Sequence, residues 1–122
     1  MEKTLERIET IRASDGVALY VEAHGAGIPV VFSCGYCTTH ENWRPQVEPL
    51  VSAGARVVLH DFRGHGLSDA PGEKSAYSMD QVIDDLSRVI AWAAPDEPVV
   101  LAGHSFGGLA SLHLAARKPE LV

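Results

Sequence analysis

Apolar and polar positions alternate twice near the start of the chain, over Glu9 to Ala13 and over Val17 to Glu22, with Ser14-Asp15-Gly16 between the two runs. Asp-Gly between β-prone segments is a hairpin signal, because the turn needs residues that accept positive φ. The two runs are therefore predicted to pair as antiparallel strands. After a loop at His24-Gly25-Ala26-Gly27 the pattern changes. Pro29-Val30-Val31-Phe32-Ser33 carries apolar residues without alternation, which marks a strand covered on both faces, and Arg56 to Asp61 reads as a second buried strand. Between them, Trp43 to Ala53 is predicted to be a helix that Gly54 ends. Beyond a glycine-rich loop reaching Gly66, Ser78-Met79-Asp80-Gln81 forms a capping-box pattern, and Val82, Leu86, Val89, Ile90 and Ala93 recur at helical spacing until Pro95. A strand over Val99 to Ala102 and a helix over Phe106 to Lys118 follow, with Pro119 closing the helix and Leu121-Val122 reading as the start of another strand. Strands alternating with helices imply an α/β fold: a mostly parallel sheet with an antiparallel N-terminal hairpin and helices on both faces.

Composition adds limits rather than detail. The chain has 122 residues, 46% hydrophobic and 21% charged, enough for one core, and it contains no repeat, low-complexity tract or linker. A net charge of −6 and a pI near 5.4, with no basic cluster, argue against nucleic acid and anionic membrane as partners and fit a soluble acidic protein. Met1 to Arg7 alternates charges without an apolar stretch, so neither a leader nor a membrane span is predicted, and the expected location is cytoplasmic. Nothing in the composition bears on oligomeric state.

The candidate chemistry lies at Gly103-His104-Ser105-Phe106-Gly107, between a predicted strand and a predicted helix. A serine in such a turn is held in a strained conformation with its hydroxyl exposed. Close backbone packing leaves room for little besides glycine two residues to either side, and the N–H groups that open the following helix favour developing negative charge. Such a serine needs a histidine base and an acid, which in this geometry follow it in the order serine, acid, histidine. After Ser105 the only histidine is His113, in the same helix and turned away by helical phase, and the only acid is Glu120. Residues 1–122 are thus expected to be the N-terminal portion of a single hydrolase domain whose base and acid lie beyond them, and inactive if expressed alone. Were 122 residues the mature length, a non-catalytic binding protein on the same fold would be the alternative.

Three segments together, Val30 to Gly35, Asp61-Phe62-Arg63-Gly64-His65-Gly66-Leu67-Ser68 and the Ser105 turn, resemble the N-terminal half of an α/β-hydrolase over essentially the whole chain. Phe32-Ser33-Cys34-Gly35-Tyr36 and Gly103 to Gly108 are most similar to small esterases, lactonases and cofactor-free haloperoxidases or perhydrolases. The dehalogenase and epoxide-hydrolase branches resemble this one but use Asp where this chain has Ser105. The resemblance implies Ser105 as nucleophile, the backbone N–H groups of Tyr36 and Phe106 as oxyanion donors, an acyl-enzyme on a small ester, lactone or related acyl substrate, and no cofactor. It also implies a structural role for Asp61 and Arg63 in shaping the loop after the strand. One position departs from the family, which has His where this chain has Cys34. The donor is a backbone group, so the hole is expected to survive; how the loop is held is open, because a thiol hydrogen-bonds poorly.

Cys34 and Cys37, the only cysteines, also form a Cys-x-x-Cys spacing after a strand, which admits a redox reading. Against it, Thr38 to Asn42 delays the helix that such a motif should open. Adding His40 makes a metal-ligand triplet, but structural zinc takes four ligands and no second pair exists, so no metal is expected and both thiols are predicted reduced. His60 and His113 sit in apolar segments, where a satisfied structural imidazole is the ordinary outcome, and His65 and His104 are not base candidates. Trp43 and Trp92 read as core residues on helix faces.

Overall fold

In the computed structural model, which describes residues 6–122, the opening hairpin pairs β1 (Glu6–Arg12) with β2 (Ala18–His24) in the register Arg12↔Ala18. Gly16 takes φ 86° in the turn, and the Ala13 N–H donates to the Val17 carbonyl at 2.9 Å. His24, expected in a loop, is the last residue of β2 because its backbone continues the ladder onto the next strand. Of the N-terminal stretch Met1 to Arg7, residues 1–5 lie outside the described residues. Among those described, no helix is long and apolar enough to cross a membrane.

The rest of the chain builds on that hairpin. Strand β3 (Ile28–Ser33) leads through a 3-10 turn at His40–Trp43 into α1 (Arg44–Ser52) and β4 (Ala55–His60). After a loop come α2 (Met79–Ala93), β5 (Val100–Gly103) and α3 (Phe106–Arg117). The sheet order is β1-β2-β4-β3-β5, in which β4, β3 and β5 run parallel and the hairpin joins antiparallel at β4. The unbroken apolar runs divide between the two faces with period two. Val31 and Val58 face α2 and α3, with Leu86, Ile90, Ala110 and Leu114, whereas Phe32, Val57 and Leu59 face α1, with Trp43, Val47 and Leu50. Each large side chain so buried contributes roughly 1.5 to 3 kcal/mol.

Helix α2 starts as its sequence demands. The Ser78 Oγ accepts from the Gln81 N–H at 3.2 Å and the Gln81 Oε1 accepts from the Ser78 N–H at 3.1 Å, a reciprocal cap of about 1 kcal/mol. The delay before α1 is a 3-10 turn capped by Thr39, whose Oγ1 accepts from the Glu41 N–H at 3.3 Å. Leu121-Val122, expected to open a strand, does not: Pro119 starts a 3-10 turn over Pro119–Leu121, and the Leu121 carbonyl accepts from the Val99 N–H at 2.9 Å. Proline fixes φ near the helical value, and that local preference outweighs the β-propensity of two residues. Trp92 is only partly core. The Arg7 guanidinium lies 4.6 Å over its ring and its Nε1–H donates to Glu9 at 3.2 Å.

Strand β5 has one neighbour among the described residues, and Val100 is 50% exposed beside Leu109 at 46% and Leu112 at 71%. An unpaired strand edge next to exposed leucines is a template for association. A polypeptide limited to residues 1–122 is therefore expected to self-associate, checked by light scattering across a concentration series; a monodisperse monomer at high concentration would contradict it.

Candidate active site

Strand order determines where a site can form. From β3 the chain crosses by α1 on one face to β4, and it returns by α2 on the other face to β5 on the opposite side of β3. The loops leaving the carboxyl ends of β3 and β5 therefore diverge, and the crevice between them is the usual ligand position in an open α/β sheet. Cys34-Gly35-Tyr36 leaves β3 and His104-Ser105 leaves β5. They are in close approach: a Cβ built on Gly35 would lie 3.4 Å from the Ser105 Cβ and 3.1 Å from the His104 Nδ1.

Ser105 has φ 53° and ψ −117°, a region that non-glycine residues avoid at a cost of about 1 to 3 kcal/mol. Three backbone bonds hold it there: the His104 N–H to the Ser33 carbonyl at 3.1 Å, the Gly107 N–H to the His104 carbonyl at 3.0 Å and the Leu109 N–H to the Ser105 carbonyl at 3.0 Å. The flanking glycines are required by contact. A Cβ on Gly103 would fall 2.6 Å from the Gly107 carbonyl, and one on Gly107 would fall 2.2 Å from the Ser33 oxygen. Ser105 is exposed and its hydroxyl makes no cap to the helix it precedes.

Tyr36 follows Gly35, which adjoins Ser105, and Phe106 follows Ser105 itself; their rings lie edge to face at 6.4 Å. No acceptor among the described residues takes either backbone N–H. For Phe106 the cause is its place at the first position of α3, where helical N–H groups lack partners.

What holds the Tyr36 loop, with Cys34 in place of an imidazole, is a set of residues that the sequence did not single out for it. The Gly35 carbonyl accepts from the Thr38 Oγ1 at 2.7 Å and from the Thr38 N–H at 3.3 Å, closing a turn in which Cys37 takes φ 62°. The Cys37 N–H donates to the His65 Nε2 at 3.0 Å, and the His65 Nδ1 donates to the Arg63 carbonyl at 3.1 Å, which fixes the tautomer. Cys34 is buried; its thiol reaches only the Thr38 carbonyl, at 3.7 Å, and burial pushes it up from the ordinary thiol range. Both cysteines are free, Cys34 buried and Cys37 exposed.

His40 belongs to a different cluster from the two thiols. Its Nδ1 and backbone N–H both donate to the fully buried Asp61 carboxylate at 2.8 Å, and its Nε2 lies 3.3 Å from Glu22 and 3.0 Å from Glu41. Asp61 also accepts from the Leu67 N–H at 2.9 Å, so one carboxylate ties the loop after β3 to the loop after β4. Glu22, buried in β2, accepts from Tyr20 at 2.9 Å and from Arg44 at 2.6 and 2.9 Å, and pairs with His24. Burial pushes the Glu22 carboxyl up, but the hydrogen bonds from Arg44, His24 and Tyr20 outweigh it and bring the group to about 2. Glu22, His40 and Glu41 come close enough to hold an ion, yet the Arg44 guanidinium already bridges both glutamates, so the counter-charge is supplied by the protein.

His60 is structural, as its apolar strand implied. Its Nε2 bonds the Ser33 Oγ at 2.8 Å, and complete burial lowers it to about 4, so it is neutral near pH 7. Because its folded value lies below the unfolded one, its contribution to stability falls as pH drops through the window from about 6.5 to 4. Urea titrations are expected to lose about 2 kcal/mol from this group between pH 7 and 4.5, and His60→Gln should lack that part of the slope. Equal slopes in the two proteins would contradict the assignment.

The family model described as alpha/beta hydrolase fold matches residues 28–122. The chain is 37% identical over 109 residues to the AB hydrolase superfamily protein YfhM of Bacillus subtilis, covering 88% of this chain and 38% of that protein. It is 34% identical over 108 residues to an epoxide hydrolase of Caballeronia sordidicola, covering 88% and 32%. The crystal structure of an epoxide hydrolase from Vigna radiata superposes with a TM-score of 0.88 at 28% identity, over 96% of this chain and 36% of that one. The chain thus spans about a third of the length of these relatives.

Proposed function

Since the chain belongs to the alpha/beta hydrolase fold family, we propose that it carries the nucleophile and oxyanion hole of a serine hydrolase that acts on a small ester, lactone or related acyl substrate through an acyl-enzyme. The observation that carries this reading is Ser105 at φ 53° between β5 and α3, exposed and adjoining Gly35, with the N–H groups of the residues that follow these two, Phe106 and Tyr36, taken by no acceptor among the described residues.

The Ser105 Oγ, relieved of its proton by a histidine from a segment outside residues 6–122, attacks the carbonyl carbon. The tetrahedral oxyanion takes hydrogen bonds from the Tyr36 and Phe106 amides, the leaving group departs with the proton, and water then hydrolyses the seryl ester. One such donor is worth about 3 kcal/mol of barrier in other enzymes.

Relatives named epoxide hydrolase do not transfer that activity here, for a chemical reason. A serine that opened an epoxide would be left as an alkyl ether, which water does not cleave, so the enzyme would stop after one event. A seryl ester turns over. An acyl substrate is therefore the class that the residue at position 105 favours.

A fluorophosphonate probe on the protein as its gene encodes it tests the reading. Mass spectrometry is expected to place the adduct on Ser105, and labelling should vanish in Ser105→Ala. Labelling that persists at full strength in that variant would remove the assignment.

A further inference from the structure

An apolar cavity of about 210 Å³ lies between the loop after β3 and the start of α2, walled by Tyr36, Phe62, Tyr77, Met79, Val82 and Phe106. Two of these, Tyr36 and Phe106, are the residues whose N–H groups the serine hydrolase reading assigns to the oxyanion. On that reading, a substituent of the carbonyl carbon lies within reach of their side chains.

The polar groups that border the cavity are already committed. Arg63 spends its guanidinium on Asp85, Asp15 and the Ala76 carbonyl. His65 has one ring nitrogen on the Arg63 carbonyl and accepts the Cys37 N–H with the other. The Ser78 hydroxyl is bonded to Gln81, and the Tyr77 hydroxyl donates to the Pro71 carbonyl at 2.6 Å. A polar ligand would displace water here without gaining partners, whereas a hydrocarbon gains burial against aromatic and aliphatic walls.

Resting on the serine hydrolase reading, we propose that this cavity receives the acyl chain, and that the substrate is the ester or thioester of a medium-length aliphatic or aryl-aliphatic acid, with Met79 setting the length limit. At about 30 Å³ for each group of water size, the space holds roughly seven heavy atoms. Met79 is the wall residue best suited to adjustment: it is half-buried at the first turn of α2, and an unbranched thioether fills irregular space.

The test uses straight-chain alkyl fluorophosphonates from two to twelve carbons on the protein as encoded, read as the rate of Ser105 labelling. The rate is expected to rise about three- to fourfold per methylene up to six to eight carbons and then to level or fall. Met79→Trp should move the break at least two carbons shorter and Met79→Ala at least two longer, with Met79→Leu unchanged. Labelling of Ser105 with a flat length profile, or a break that neither Met79→Trp nor Met79→Ala moves, would overturn the acyl pocket and leave the nucleophile standing. Absence of Ser105-dependent labelling at every length would overturn both.

Discussion

Ser105→Gly is expected to abolish turnover while raising stability, and the comparison with Ser105→Ala separates the two effects. Either substitution removes the attacking oxygen, and loss of a serine nucleophile lowers kcat by about 10⁴-fold or more in enzymes that depend on one. Their effects on folding should differ. Ser105 holds φ 53° and ψ −117°, and alanine at that position keeps the clash between Cβ and the backbone, whereas glycine has no Cβ to clash. Relief of about 1 to 3 kcal/mol is partly offset by the greater freedom glycine gives the unfolded chain, about 0.5 to 1 kcal/mol. Ser105→Gly should thus be about 1 kcal/mol more stable than Ser105→Ala in urea titration, with p-nitrophenyl acetate turnover at background in both. Equal stability of the two variants would mean that the elbow stores no strain. Residual turnover above background would mean that the nucleophile lies elsewhere.

The elbow was legible in the sequence because its requirements are local: glycine at 103 and 107 is demanded by backbone atoms within a few residues or on the adjoining strand. The strand and helix order was legible for the same reason, from period and capping. The support beneath the site was not. The bond from the Cys37 N–H to His65 and the two bonds from His40 to Asp61 join residues on loops that only the sheet brings together. The spacing of His40 from the two cysteines argued only against a metal site; that its ring serves the Asp61 carboxylate is a long-range fact. Glu22 carried a weak signal, a charge in a strand between Val21 and Ala23, but its partner Arg44 sits on another element. The misread C-terminus shows the opposite error: two β-prone residues suggested a strand where Pro119, two positions earlier, had already set a turn.

Arg63→Met is expected to cost about 3 to 5 kcal/mol. The Arg63 side chain is fully buried and clamps three segments. It binds Asp85 on α2 through two bonds at 2.6 and 3.0 Å, Asp15 in the hairpin turn at 2.9 and 3.1 Å, and the Ala76 carbonyl at 2.7 Å. Methionine approximates the stem of the side chain but strands Asp85, which is 2% exposed. Burial already pushes the Asp85 carboxyl above the ordinary carboxylate range, with the Arg63 hydrogen bonds opposing it. Without Arg63 that opposition disappears and the group rises further. A carboxyl whose folded value lies above its unfolded one favours the folded state more as pH falls, so the deficit of Arg63→Met should narrow from pH 7 toward 5. Asp15, 35% exposed, can recover water, so Asp15→Ala should cost far less than Arg63→Met. The double variant Arg63→Met with Asp85→Leu removes both buried charges and is expected to be more stable than Arg63→Met alone. The Arg63 carbonyl is also the acceptor that fixes His65 against the Tyr36 loop, so loss of the clamp should lower kcat more than it raises KM well below the melting temperature. Urea titrations at pH 7, 6 and 5 with acyl hydrolysis at 15 °C test both parts. A deficit under 1 kcal/mol, or one that widens on acidification, would mean that the guanidinium is not what holds Asp85.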